Sequence, residues 1–190
     1  MLRSLYIAGT NMLVQRNRMD VITNNISNAE TAGFKKDQLL SRSFGDLMIE
    51  RVNEQNVLNM RKSVGPQNTG IHIDEVFTEF TQGNLENTGR LSDLAIQGSG
   101  FFVIQTPQGV RYTRDGGFGV DRNGNLVTND GDKVLGTNGN INVGNESFSI
   151  DETGNVFIND LIVNKVKIVS FKDAKSLRKE GNNLYSDYTN

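Results

Sequence analysis

The chain of 190 residues has no cysteine, two prolines and a single histidine, and its formal net charge is only -2. Without cysteine there are no disulfides and no thiolate metal sites, but no compartment is named, because exported proteins also do without it. No lysine and arginine stripe with interleaved aromatics is present, so the electrostatic footprint of a nucleic-acid partner is missing. No apolar run approaches the ~20 residues of a membrane span, so membrane insertion is not expected. Met1 to Thr10 lacks the apolar core and small-residue cleavage site of a Sec-type signal peptide. Exit from the cytoplasm would need another route.

What is present is globular but polar, with 36% hydrophobic and 22% charged residues, which argues against a wholly disordered chain. The 20 glycines imply many tight turns and a β-rich fold. The length suits one ordinary domain plus an extra element.

That extra element is at the amino terminus. Leu2 to Asn28 contains no proline, and Gly9 is its only strong helix breaker, so the segment predicts a long helix of ~40 Å. Leu5, Met12, Met19 and Ile26 recur every seventh residue, with Ala8, Gln15, Ile22 and Ala29 as the companion series, which makes an a/d seam. Leu2, Leu13, Val14 and Val21 lie off that seam, so a single partner would not cover the helix. The run from Asn24 to Gly33 moves to Asn and Gly types that cap carboxyl ends, and Phe34 opens a new segment.

Three regions follow: an amino-terminal helical segment over 1–34, an extended connector over 35–70 and a β-rich body over 71–190. Within the connector, Leu39, Leu40, Phe44, Leu47, Met48 and Ile49 predict a short helix, followed by a polar run from Arg51 to Gly70. In the body, short apolar runs predict strands at Ile71–Phe80, Leu94–Ile96, Phe101–Thr106, Val110–Thr113 and Phe118–Val120. Others follow at Leu126–Thr128, Val134–Gly136, Ile141–Val143, Phe148–Ile150, Val156–Ile158 and Leu161–Phe171. Separators such as Asp121–Asn125 and Asp151–Asn155 put Asn or Asp beside Gly, where hairpins need positive φ. A helical turn near Asp173 to Leu177 and a contact at Leu184-Tyr185 would close the body. The fold class is mainly β with a long amino-terminal α-helix and an irregular body of short strands and hairpins.

Chemistry finds little support. Asp121, Asn123, Asn125 and Asp132 imitate the first ligands of a calcium loop, but Leu126 stands where the sharp-turn glycine belongs and no helix flanks the run, so a hairpin is expected. A Ser and His enzyme would have to use His72, and Ser99 lacks the flanking pattern of a nucleophile elbow. Gly98-Ser99-Gly100 precedes a strand rather than a helix and reads as a turn or bulge. No catalytic, cofactor or metal site is assigned.

Three blocks resemble the bacterial flagellar rod and hook proteins. The first is Asp20 to Asn28 followed by Thr31-Ala32-Gly33-Phe34-Lys35, with Asn24, Asn25 and Asn28 as its asparagines. The second is Leu91 to Phe102, which carries Gly98, Gly100, Phe101 and Phe102. The third is Tyr112 to Gly116 with Phe118 and the hairpin through Leu135-Gly136. Among these proteins the chain is most similar to the distal-rod and proximal-rod subunits. The resemblance implies a structural axial subunit of the basal-body rod. Its partners would be itself and other rod and hook proteins, and it would be exported by the flagellar type III apparatus without a cleaved signal. It also implies that the amino-terminal helix, with its seam Leu5, Met12, Met19, Ile22 and Ile26, pairs with a carboxy-terminal helix in the wall of a tube. The chain ends at Asn190 with no such helix after Leu184-Tyr185, so the amino-terminal helix is expected to be exposed, flexible or borrowed by a neighbour.

Two other classes stay open on the residues alone: a secreted β-domain binding module with a helical oligomerisation stalk, and a hydrolase that depends on His72. A lone helix with apolar flanks gains most of its stability on assembly. Hydrogen exchange on the isolated protein is therefore expected to be fast over residues 1–30 and slow over 71–185; equal protection of both counts against the assembly reading.

Overall fold

The proline-free segment forms one uninterrupted α-helix, α1 (Leu2–Ser27), in the computed structural model of the protein. The structure describes residues 2–51, 62–144, 146–172, 177–181 and 183–187, with main chain alone at Leu2, Arg51 and Lys62. Contacts group the chain into two units, one of residues up to 27 with 36–79, the other of 28–35 with residues from 80 onward.

In the first unit, β1 (Asp37–Ser43) pairs antiparallel with β4 (Ile71–Thr78), and β2 (Leu47–Arg51) with β3 (Lys62–Gln67). The short helix expected from Leu39 to Ile49 is therefore not formed; residues 39–43 and 47–49 are strand, with Phe44 in the link between them. The apolar cluster looked helical by composition, but Leu39 and Leu40 sit opposite Val76 and Glu75, and this long-range pairing outweighs local propensity. The helix packs on β1 and β4, burying Val14 with Ile7 and Val21 half-buried beside it. Gly70 permits the close approach, since a Cβ there would lie 2.5 Å from the Thr10 hydroxyl. Phe44 stacks on His72 at 4.8 Å between ring centres.

The second unit is built around β5 (Phe101–Thr106), which pairs with β6 (Gly109–Thr113) on one side and β9 (Lys133–Gly136) on the other. β8 (Leu126–Val127) and β7 (Gly119–Val120) extend the sheet beyond β9, and β16 (Leu184–Asp187) and β15 (Leu177–Lys179) extend it beyond β6. β10 (Gly139–Asn140) hangs off β9, and β14 (Ile168–Val169) off β5. A separate meander orders β11 (Phe148–Ile150), β12 (Asn155–Ile158) and β13 (Leu161–Lys165). Side chains alternate along a strand, so Phe101 and Phe102 enter different cores. Phe102 joins Phe118, Leu126, Val134, Ile141, Val143, Val156 and Val166, whereas Phe101 joins Leu177 and Tyr185.

Most of the expected strands form, with local differences. Leu94–Ile96 is not strand, and Ile141–Val143 contributes only a single bridge, Asn142 to Asn125. The expected run Leu161–Phe171 divides into β13 and β14, because Val166 donates to Gly154 O at 2.8 Å and Lys167 to Leu135 O at 3.1 Å, turning the chain from one sheet to the other. The helical turn near Asp173 lies outside the described residues over 173–176, and Leu177 itself opens β15.

An internal repeat explains the two hairpins. Phe118, Asp121, Gly124, Asn125, Asn129 and Asp130 recur at the same spacing as Phe148, Asp151, Gly154, Asn155, Asn159 and Asp160. In the first copy Asp121 Oδ1 accepts from the Asn123 and Asn125 amides at 2.8 and 2.7 Å, and in the second Asp151 Oδ1 accepts from those of Thr153 and Asn155 at 2.9 and 2.8 Å. The Asp121 carboxylate, first in the run that imitates a calcium loop, is thus engaged by N–H donors that close the turn. The side chain of Asn125, then the amides, hold Asp121 below its ordinary carboxylate value; at Asp151 partial desolvation pushes upward, but donors from Asn155 and Thr153 outweigh it. A carboxylate lowered in the folded state contributes stability above its unfolded pKa of about 3.9, and that stability is lost as pH falls through the folded value. The urea midpoint is expected to drop on acidification below about pH 4, and the Asp121→Asn/Asp151→Asn variant to show a shallower drop; an unchanged pH profile would contradict this role.

Candidate assembly surfaces

The expected helix seam lies on the outside of its own unit. Leu5, Met12, Met19 and Ile26 are exposed at 71%, 73%, 64% and 70%, and Ile22 at 45%. The strip used for internal packing is instead Ile7, Val14 and Val21, another heptad series on a different flank. Val14 and Val21 came from the off-seam set; Ile7 was missed, though the same seven-residue spacing would have found it. Five large apolar side chains therefore face away from the core of the unit, an arrangement that excludes water only when something covers it.

The asparagines at the helix end do separate work. Asn25 pairs its carboxamide with the main chain of Asp37: Nδ2 donates to Asp37 O at 2.9 Å, and the Asp37 amide donates to Oδ1 at 3.0 Å. This two-way bond fixes the start of β1 against the end of α1. Asn24 is exposed, while the carbonyl of Asn28 accepts from the Thr31 amide at 3.1 Å and the Thr31 carbonyl from the Phe34 amide at 3.3 Å, which curls the chain into the turn.

In the second unit, three of the remaining family-motif residues, Gly33, Gly98 and Phe101, converge on Arg114. Gly33 has φ +69, and a Cβ there would run into the Arg114 carbonyl. Arg114 Nη1 donates to Gly98 O at 2.7 Å, and its guanidinium lies 5.0 Å from the Phe101 ring centre. Gly100 has φ +153, and a Cβ would sit 2.7 Å from Ile168 Cγ2. Phe34 lies beneath the Lys179 ammonium at 4.0 Å. Lys35 reaches Thr81 O at 2.7 Å, and Asn183 Nδ2 reaches Ala32 O at 3.3 Å. The aromatic cluster beneath is tight, with Phe101 at 5.5 Å from Phe80, 5.6 Å from Tyr185 and 5.7 Å from Phe171.

Burial pulls the Lys35 ammonium below its ordinary value, and the neighbouring Arg114 charge adds to this. Burial does the same to Arg114, with Tyr185 acting in the opposite direction. At Asp115, next to Arg114 in the chain, burial pushes the carboxyl up; the Gly117 amide opposes it, and Asp130 and Asp93 push further up. Lys35, Arg114, Lys179 and Asn183 were not singled out from sequence. Lys35 and Arg114 stood inside the motif blocks, next to the phenylalanine and glycines whose geometry they secure. His72 and Ser99, the pair a hydrolase would need, belong to different units.

A long helix that presents an apolar seam, followed by a β body whose motif turn is bonded into it, defines a structural assembly protein. Comparison with known proteins gives the lineage. Residues 5–35 match the family described as flagella basal body rod protein, and residues 95–158 the flagellar hook protein FlgE/F/G D1 domain. The flagellar basal-body rod protein FlgG of Bacillus subtilis (strain 168) is 37% identical, covering 100% of this chain and 75% of its own length. The flagellar hook-basal body complex protein FlhO of the same organism is 32% identical, covering 98% and 74%, and the rod protein FlgF of Caulobacter vibrioides is 34% identical over the same shares. The chain belongs to the flagellar basal-body rod protein family, a structural family of the flagellar basal body. Among the described residues, no helix is long and apolar enough to cross a membrane.

Because Gly33 needs both a positive φ and the space a Cβ would fill, Gly33→Ala is expected to lower stability by at least about 1–2 kcal/mol from the backbone alone. Urea unfolding followed by tryptophan-free tyrosine fluorescence would measure it; a loss well under that range would show that the turn relaxes freely.

Proposed function

We propose that the chain is an axial subunit that assembles with copies of itself and with other rod and hook proteins, and that the resulting tube transmits torque for motility. The observation that carries the reading is the exposed row Leu5, Met12, Met19 and Ile26, with Ile22 beside it, on a helix whose other flank already packs on β1 and β4. In this reading residues 1–34 supply the wall of the tube, 35–70 set contacts and stiffness, and 71–190 form the outer body. Asn24, Asn25, Asn28, Thr31, Gly33 and Phe34 shape the passage from helix to body, while Gly98, Gly100, Phe101 and Phe102 shape the body itself. Export runs through the flagellar type III apparatus, and the chain carries no catalytic role.

Burying one such side chain contributes about 1.5–3 kcal/mol, so a charge placed on the seam removes that gain and adds a desolvation cost. Met12→Glu/Met19→Glu is expected to leave the thermal midpoint of the monomer nearly unchanged, since both positions are already exposed, and to abolish assembly measured by sedimentation and electron microscopy. Unimpaired assembly sinks the reading. A sharply defined small oligomer with ligand affinity would instead favour a binding module.

A further inference from the structure

The second unit holds a small concavity of about 180 Å³ whose lining, among the described residues, carries a single charge, that of Arg114. Phe80, Phe101 and Phe171 supply its apolar wall. Ser99 and Ser170 bring exposed hydroxyls to it, and Gln82 an exposed carboxamide. The loop that carries Ser99 lies outside any strand, and the main-chain amides of Gly98 and Ser99 donate to no acceptor among the described residues. The concavity therefore pairs one cation and several spare donors with an apolar wall.

A guanidinium has five N–H donors and a permanent charge. Arg114 spends Nη1 on Gly98 O at 2.7 Å and lies over the Phe101 ring at 5.0 Å. Its Nε is buried and has no hydrogen-bond partner. Among the described residues, no carboxylate forms an ion pair with it. The nearby cation adds to the imbalance, since the Lys35 ammonium bonds to the neutral Thr81 O and is lowered by burial and by the Arg114 charge. The bond to Gly98 explains one donor of the guanidinium and leaves its charge unmatched. A partly desolvated cation with neutral partners carries a cost that an anion at its side offsets.

We infer that this concavity is an oxyanion site that takes a carboxylate on a short aliphatic stem. The planar carboxylate matches the planar guanidinium, and the serine hydroxyls and loop amides supply further donors. The three rings receive the stem, and they offer no donor to the remaining oxygens of a tetrahedral ion such as phosphate. An acidic side chain of a neighbouring copy and a free small carboxylate share this chemistry. The inference goes beyond the rod-subunit reading and is independent of it, because the whole lining belongs to the second unit of one chain.

Sodium propionate added to the isolated protein is expected to move the Arg114 Nε–H resonance in a nitrogen–proton correlation spectrum, with saturation in the millimolar range. Sodium chloride at equal ionic strength should leave it in place. The Arg114→Lys variant identifies the resonance by removing it. A propionate response that never saturates, or that chloride reproduces, overturns the site, and inorganic phosphate binding several-fold tighter than propionate overturns its preference for a carboxylate. As a second arm, Ser170→Glu changes an exposed position on the lining and tethers a carboxylate there, which should weaken the response to propionate by about tenfold or more. An undiminished response in Ser170→Glu also overturns the site. The two sources separate on assembly of the unaltered protein at constant ionic strength. Loss of sedimenting polymer in saturating propionate assigns the site to an acidic side chain of a neighbouring copy, and unchanged polymer assigns it to a free carboxylate.

Discussion

The second unit depends on the burial of β5 on both faces at once. Phe101 and Phe102 are adjacent, and the pleat sends them to opposite sides, each at the centre of a different cluster. Each ring contributes about 1.5–3 kcal/mol on removal from water, and neither can move without shifting the strand that carries the other. The glycines ahead of the strand serve this arrangement. Gly100 allows β14 to lie against the entry of β5, and the Gly98 carbonyl accepts the arginine that covers Phe101. Strands β6, β9 and β14 then follow from hydrogen bonding to a strand whose place is already fixed.

Around this strand, charge is used to hold main chain. Lys35, Arg114 and Lys179 each give a hydrogen bond to a carbonyl, at Thr81, Gly98 and Lys35 respectively. Partly desolvated cations bonded to neutral acceptors are costly, and the lowered values of Lys35 and Arg114 express that cost. What they hold is the turn after the helix, where Gly33 admits no side chain.

In the first unit burial is distributed in the opposite way. Val14 is 2% exposed, yet the seam residues on another flank of the same helix remain open. One flank of the helix is spent on its own strands while another stays wet in the free chain, a surface that the hydrophobic effect favours covering.

Local residue chemistry settled much of this protein. The helix, its end near Asn28, most of the body strands and the Asp-Gly-Asn hairpins were legible in sequence, because proline exclusion, glycine at positive φ and short apolar runs act within a few residues. The two readings of Leu39 to Ile49 diverged because a helix is proposed by neighbours in sequence, whereas β1 is made by Ile71–Thr78, far along the chain. The helix seam was visible as a heptad, but periodicity could not say which flank its own unit would take. Convergence on Arg114 was equally invisible: Gly33, Gly98 and Phe101 meet it only when the sheet is formed. Sequence by itself determined most of the elements and the lineage. Tertiary structure alone decided which apolar surfaces were buried and which were left open, since burial is a property of what a distant segment covers.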